Sequence, residues 1–335
     1  MPQRLRIATF NLESLDDRPD LDPPLAARIE ALRPRLLLLS ADVLCLQEVN
    51  GQHPPGGGPR RLLALDRLLA GTPYEGFHRA ASSRVSGQTS GPEGGAARGA
   101  DAVHNLVILS RAPILATEEL RHHLVDPPSY RPATAKPPLT APQAVEWDRP
   151  ILSVVIELAG GRRLHVVDLH LRAPLAAPVP GQKRSSRTWN SIAGWAEGFF
   201  LATMKRAGQA LETRLLIERI FDREPDALIA VCGDFNAEER QTPLRTIRGD
   251  TGDTGNPALA PRALVPLERT LPESQRFSVV HGGRKQMLDH LLVSRALLAG
   301  YRHVEIHNQG LADEVTDSGP DSHHAPLVAE FELPG

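Results

Sequence analysis

The chain of 335 residues is 41% hydrophobic and 23% charged, and its 38 Lys+Arg against 40 Asp+Glu give a formal net charge of −2. That length and balance exclude a mini-protein stapled by disulfides, a globally basic nucleic-acid coat and a disordered acidic tail. The 30 prolines, 27 glycines and 4% aromatics signal much loop and few stacking side chains, and length alone suggests about two domains.

Short β-rich runs alternate with helical stretches. Residues 5–10 (LRIATF) read as a strand, and residues 25–39 as a helix that Pro34 breaks or kinks. The continuous apolar run 43–47 (VLCLQ) has the signature of a buried strand. Residues 62–70 form a helix. Residues 103–109, 151–158 and 164–169 are strands, the last two joined by a turn signal at 159–162 (AGGR). Residues 208–222 make an amphipathic helix, with Ala210, Leu211, Leu215, Ile217 and Ile220 near one face. Strand signals return at 228–232, 277–280, 287–294, 304–306 and 327–331. Three stretches are irregular: 51–59 and 86–101, rich in glycine, and the Pro-rich 124–150. Strand signals of the same character resume on both sides of each, so none reads as an interdomain linker. Cys45 and Cys232 lie inside apolar runs and read as buried thiols, not as a disulfide framework. The opening residues (MPQRLRI) carry no signal-peptide core, and no run reaches the roughly 18 apolar residues of a membrane span. The expectation is a soluble, cytoplasmic protein of α+β layering.

The informative feature is polar residues at the ends of apolar runs. Asn11 and Glu13 end the first strand, and Glu48 the second. Asp168 and His170 close VVDLHL, Asp234 and Asn236 close LIAVCGDFN, and Asp289 and His290 sit in QMLDHLL. His323 and His324 precede the last strand. Each residue alone has an ordinary explanation: a solvated strand end, a turn or helix cap, a hydrogen-bonded core histidine. Together they demand another, because desolvated carboxylates are expensive unless paired or bound to a metal. Carboxylates, amides and imidazoles at strand ends fit an oxygen-rich site for a hard divalent cation. The cysteines, inside their strands, argue against a thiolate zinc site.

These segments resemble the endonuclease/exonuclease/phosphatase superfamily, which includes deoxyribonuclease I. The resemblance rests on Ile7–Leu12 (IATFNL), Leu46–Val49 (LQEV), Val166–Leu171 (VVDLHL), Gly233–Asn236 (GDFN), Leu288–Leu291 (LDHL) and Ser322–Pro326 (SHHAP), in the family's order across almost the whole chain. It implies a four-layer αββα sandwich of two packed mixed sheets, as a single domain over 1–335 with loop insertions near 82–101, 124–150 and 172–204. It also implies a metal-dependent phosphoester hydrolase, a phosphodiesterase or nuclease, using Mg²⁺ or Mn²⁺. Glu48 would be the main metal-ligating carboxylate, with Asn11 beside it. Asp234 would orient or deprotonate the attacking water, and Asn236 would hold the nucleophile or a phosphate oxygen. His324, paired with Asp289, would stabilise the phosphoryl oxygens, and His170 would contact the phosphate. Two departures stand out. The family's closing Ser-Asp-His is Ser322-His323-His324 here, so His323 or Asp321 stands in for a metal-site aspartate, or the outer part of the metal site is weaker; an imidazole there favours Mn²⁺ or Zn²⁺ over Mg²⁺. Asp168 occupies a position where the family usually has Asn, and reads as a structural hydrogen-bond acceptor.

For the substrate, Arg172 follows His170-Leu171, and Lys183, Arg184 and Arg187 precede Trp189, Trp195, Phe199 and Phe200. Cations followed by aromatics bind phosphates and stack bases, although a lipid headgroup or simple packing would use the same residues. Arg284 follows a Gly-Gly turn and is a further phosphate contact. The expected partner is a phosphoester, with nucleic acid or nucleotide first. The alternatives are a small-molecule or lipid phosphodiesterase or phosphatase, and a non-catalytic binding protein of the same fold.

Overall fold

The computed structural model describes residues 3–85 and 98–334, so residues 86–97 of the second Gly-rich stretch lie outside the described residues. Twelve strands form two six-stranded sheets. They are β1 (Gln3–Leu15), β2 (Val43–Val49), β3 (His78–Ala81), β4 (Asn105–Ser110), β5 (Ile114–Leu120), β6 (Ile151–Glu157), β7 (Arg163–His170), β8 (Leu228–Asp234), β9 (Val265–Pro266), β10 (Asp289–Val293), β11 (Tyr301–Ile306) and β12 (Leu327–Leu333). The first sheet runs β11-β12-β1-β2-β4-β3 and the second β9-β10-β8-β7-β6-β5. Each contains one parallel pair, β1 with β2 and β7 with β8, among antiparallel neighbours.

Alternation along the strands sorts the layers. Leu5 and Ile7 of β1, Val43 and Cys45 of β2, Leu164 and Val166 of β7, Ala230 and Cys232 of β8, and Leu291 and Val293 of β10 fill the space between the sheets. Their neighbours point outward. Ala8, Phe10, Leu44 and Leu46 pack on helices α1 (Leu25–Leu39) and α2 (Leu63–Leu69). Val167, Leu169, Ile229 and Val231 pack on helices α3 (Ile192–Arg223) and α4 (Thr242–Arg248). The result is the expected αββα sandwich. The two cysteines face each other across the sheets, Sγ to Sγ 3.4 Å, both as buried free thiols.

Pro34 does not end α1, which runs unbroken to a left-handed cap at Ser40. The exposed edge strand β5 escaped notice because four of its seven residues face solvent and carry no alternating apolar signal. The larger correction concerns α3. It begins 16 residues before the expected 208, so residues 192–204 are helix and not loop. Three glycines and four exposed apolar side chains (Ile192, Trp195, Phe199, Phe200) obscure its amphipathic pattern. Ser191 caps it by accepting from Gly194 N at 3.0 Å.

The glycines have a packing reason. A Cβ on Gly198 would overlap the Ala177 carbonyl oxygen and the Trp189 ring. Two buried glutamates of α3 then clamp the Pro-rich excursion. Glu197 accepts from Tyr130 Oη, Ala133 N, Thr134 N and Thr134 Oγ1 at 2.5–2.8 Å. Glu212 accepts from His122 N, His123 N, Leu124 N and Trp147 Nε1 at 2.6–3.1 Å. Among the described residues no helix is long and apolar enough to cross a membrane.

Gly198→Ala is expected to destabilise the protein by about 1–3 kcal/mol through overpacking. Urea denaturation of the variant reads this directly.

Candidate active site

The site grows out of the inter-sheet layer. Asn11, His170, Asp234 and Asp289 occupy the same inward-facing series as the core residues of β1, β7, β8 and β10. Moving along the strands, the apolar rows give way first to Thr9, Gln47 and Asp168. Gln47 Nε2 donates to Thr9 Oγ1 at 3.1 Å and to Asp168 Oδ1 at 2.6 Å. The next row is ionisable: His170, Asp234 and Asp289 are successive register partners across β7, β8 and β10.

Glu48 is out of phase with this series, and a β-bulge re-aims it. The β2 register shifts against both neighbours around this residue, and Glu48 takes a left-handed φ of 59°. Of the seven described non-glycine residues with positive φ, five lie here: Glu13, Ser14, Glu48, His104 and Asn236. Backbone strain of this kind clusters at functional sites. Gly233 has φ 133° and lies so close to the Leu169 carbonyl that no side chain fits. That contact sets β8 tightly against β7 just before Asp234.

The side chains interlock. Asn11 Nδ2 donates to Glu48 Oε1 at 3.3 Å and Asp234 Oδ2 at 3.1 Å. Glu48 Oε2 accepts from Ser14 N and Oγ at 3.0 Å. His170 Nε2 lies 3.6 Å from Glu48 Oε1 and 3.4 Å from Asp234 Oδ2. Asn236 donates N to Asp234 Oδ1 at 2.8 Å and Nδ2 to Asp234 Oδ2 at 3.0 Å. His324 Nδ1 meets Asp289 Oδ2 at 2.8 Å. Ser322 fixes the approach of this last loop, donating to Asn11 O at 2.8 Å and accepting from His324 N at 3.1 Å.

Electrostatics assign charges. Burial opposes the His324 charge, but the Asp289 carboxylate outweighs it, with Asp234 and Glu48 adding, and its pKa is pushed up to about 10. Burial and the nearby Asp289 charge raise Asp234 to about 7 against the pull of His324. Burial also acts on Glu48, but the imidazoles of His104, His170 and His324 hold its carboxyl well below the usual range. Burial, then the Arg149 charge, keeps the His170 imidazole neutral far below its ordinary value.

Asn11, Glu48, His170, Asp234, Asn236, Asp289 and His324 therefore meet. His323 does not join them. Its Nδ1 lies 2.8 Å from Glu13 Oε1 and its Nε2 3.2 Å from Asp317 Oδ2, so both ring nitrogens are already engaged. The expected substrate cations have partners of their own. Arg172 and Lys205 share Asp148. Lys183 sits over the Trp189 ring at 5.0 Å, and Arg184 donates to Asn190 Oδ1 at 3.0 Å within the same hairpin. Arg187 is exposed there, and Arg284 reaches Glu238 at 3.2 Å. Two residues were missed. His104, absorbed into the strand reading of 103–109, brings Nδ1 to 3.5 Å from Glu48 Oε2. Arg149 is half-buried and interacts electrostatically with Glu48 and Asp234. His104 immediately precedes a strand and Arg149 stands two residues before one, the mirror image of the polar-strand-end signal.

The model of the endonuclease/exonuclease/phosphatase family matches residues 8–317. No curated protein matches the chain. Among solved structures, an endonuclease/exonuclease/phosphatase from Bacteroides vulgatus is similar, with 17% identity and a TM-score of 0.54 over 99% of this chain and 100% of that one. The 3′ phosphatase NExo from Neisseria, bound to a product DNA hairpin, has 17% identity and a TM-score of 0.51 over 98% and 99% of the two chains. TDP2 from D. rerio, complexed with a single-strand DNA product, has 16% identity and a TM-score of 0.53 over 98% of each.

Asp168 yields a test. It is fully buried, its Oδ2 has no hydrogen-bond partner, and burial raises its pKa well above the ordinary value. The folded state then holds this proton more tightly than the unfolded chain. Stability is fully present below the usual carboxylate range and falls as pH rises toward the folded pKa, with a limiting slope of about 1.4 kcal/mol per pH unit. Asp168→Asn should remove this loss. Denaturation midpoints at pH 4 and pH 8 should diverge in the variant's favour at the higher pH.

Proposed function

The chain belongs to the endonuclease/exonuclease/phosphatase family, and on that premise we propose that it is a divalent-metal-dependent phosphoester hydrolase with both sheets acting as one catalytic unit. The observation that carries this reading is the pairing of opposite protonation tasks. Asp234, with a pKa near 7, lies within the field of His324, with a pKa near 10. Both are raised, Asp234 to a value that suits a base near neutral pH and His324 to one that keeps it protonated there.

In this reading Asp234 takes the proton of the attacking water as its oxygen bonds to phosphorus and the ester P–O bond breaks. Asn236 and Asn11 hold the Asp234 carboxylate in place through hydrogen bonds of 3.0 and 3.1 Å. Asp289 keeps His324 charged and fixes its tautomer, so that its free Nε2–H faces the phosphoryl oxygens. Neutral His170 and the guanidinium of Arg149 add a hydrogen-bonding and a charged contact to the phosphate.

The residues present fit a divalent cation. Glu48 stays ionised although buried, while His104 Nδ1 and Asp289 Oδ1 are buried without hydrogen-bond partners. Glu48 would hold Mg²⁺ or Mn²⁺, with Asn11 and Asp234 beside it. When bound, such an ion neutralises charge on the phosphate. A phosphodiester of nucleic acid or nucleotide is the preferred substrate. Two structural neighbours carry DNA products, and Lys183, Arg184, Arg187, Trp189 and Arg284 stand as exposed or rim contacts for a longer substrate.

Hydrolysis of bis-p-nitrophenyl phosphate should vanish with EDTA and return with Mn²⁺ or Mg²⁺. Asp234→Asn and His324→Ala should each lower kcat by about 10²–10⁴. Turnover that both substitutions leave intact removes the assignment. A panel of plasmid DNA, single-stranded RNA, a cyclic dinucleotide, a phosphomonoester and a lysophospholipid then fixes the substrate class.

The pH profile follows from the same pair. Asp234 must be ionised and His324 protonated, so kcat/KM should climb through an acid limb and fall through a basic limb near about 10. The acid limb should lie at or below about 7, because a bound cation draws the Asp234 pKa down. Asp289→Asn should move the basic limb to lower pH, since the carboxylate that sustains the imidazolium is gone.

A further inference from the structure

We infer that the metal donor set of this chain is two imidazoles and one carboxylate, Glu48 with His104 and His170, and that it selects a first-row transition cation such as Mn²⁺ over Mg²⁺. The inference rests on the reading that a cation binds beside Glu48; it names the donors and makes His170 Nε2 a metal ligand in place of a phosphate contact.

One donor atom from each of these three residues lies within 4.8 Å of the others. His104 Nδ1 stands 3.5 Å from Glu48 Oε2, and His170 Nε2 stands 3.6 Å from Glu48 Oε1. Ligands about 2.1 Å from one ion are separated by about 3.0 Å at a right angle and about 3.4 Å at the tetrahedral angle. The observed 3.5 and 3.6 Å, one to each oxygen of the Glu48 carboxylate, lie just above those edges. The His104–Glu48 approach lacks hydrogen-bond geometry, and this buried Nδ1 has no other partner, so the pair is not explained as a hydrogen bond.

His104 is also built into place. Its backbone N donates to Asn50 Oδ1 at 2.9 Å. The next residue, Asn105, donates Nδ2 to Val49 O and Asp101 O at 2.8 Å. The loop is thereby tied to the end of β2 that carries Glu48. A left-handed φ of 59° turns the ring inward, edge-on to His170 with centroids 5.8 Å apart. Mg²⁺ prefers oxygen ligands and retains its waters, whereas imidazole suits the borderline transition metals. Three donors leave the remaining coordination positions for water and a phosphate oxygen. The imidazole preference that the sequence attached to His323 thus passes to His104, because His323 is held by Glu13 and Asp317.

The test is pulsed EPR of the Mn²⁺-loaded protein, together with equilibrium dialysis of Mn²⁺ and Mg²⁺. The wild type should show ¹⁴N modulation from coordinated imidazole. His104→Asn is the informative variant, because Asn tolerates the left-handed backbone and removes the ring. It should lose part of the nitrogen signal and bind Mn²⁺ at least about tenfold more weakly, with Mg²⁺ affinity little changed. Absence of ¹⁴N coupling in the wild type overturns the inference even if the variant fails to fold, and so does equal Mn²⁺ affinity in wild type and variant. If EDTA-sensitive hydrolysis persists without nitrogen coupling, the donor set is wrong and the proposed activity stands. If no metal binds and hydrolysis is insensitive to EDTA, both readings fall.

Discussion

Everything at this site depends on the cost of burying charge between two β-sheets. The inward-facing rows that begin as Ile7, Cys45, Val166, Cys232 and Leu291 end as Asn11, His170, Asp234 and Asp289 without leaving the layer. An isolated carboxylate there would cost several kcal/mol. The groups are tolerable only as a set, because each neutralises or hydrogen-bonds another. The Thr9–Gln47–Asp168 row is the buffer between oil and ions, supplying neutral hydrogen bonds where neither water nor a counter-charge reaches. The same burial that raises the Asp234 pKa is answered by the His324 imidazolium, whose own pKa the neighbouring carboxylates raise.

Precision at that site is bought by the layers behind it. His290, on the outward side of β10, donates Nε2–H to Ala237 O at 2.8 Å and pairs with buried Glu268 at 2.5 Å. Its ring edge meets Phe235 with centroids 5.2 Å apart. The turn that follows Asp234 is therefore held from below by a buried ion pair, while Arg206 of α3 donates to Asn236 O at 2.9 Å from the side. Helix α3 has a second task. Its glutamates 197 and 212 hold the Pro-rich excursion that delivers Asp148 and Arg149, so the rim of the site and its floor share one rigid element.

The sequence made most of this legible for a physical reason. A polar residue terminating a buried apolar run is conspicuous, and Asn11, Glu48, His170, Asp234 and Asp289 all announce themselves in that way. The alternation of β1, β2, β7 and β8 also separates inner from outer faces, and with them the four layers. What stayed hidden lacked such contrast. The first half of α3 mixes glycines with exposed aromatics, because its small residues face Ala177, Gln182 and Trp147 and its large ones face solvent. His104 is absorbed into the strand read over 103–109, and Arg149 falls at the end of the Pro-rich stretch that reads as loop. The bulge that turns Glu48 inward leaves no mark in composition, since a left-handed glutamate looks like any other.

The opening charge balance acquires a different meaning beside this geometry. The near-neutral sum arises because cations around the site are matched locally: Arg172 and Lys205 by Asp148, Arg284 by Glu238, Arg245 and Arg248 by Asp250. A phosphate approaching these residues must compete with a carboxylate already in place, so they contribute little until the pairs open. Arg149 differs. Among the described residues it forms no ion pair at contact distance; it donates to the Leu171 carbonyl at 3.3 Å, and Glu48, Asp234 and Asp148 act on its charge from further away. In the proposed reading the positive charge offered to a phosphodiester is that of Arg149 and His324, set by the structure around them and not by the exposed basic hairpin. On that reading, affinity for the reacting phosphate and recognition of the rest of the substrate would be separated, the first in the sandwich and the second on its rim.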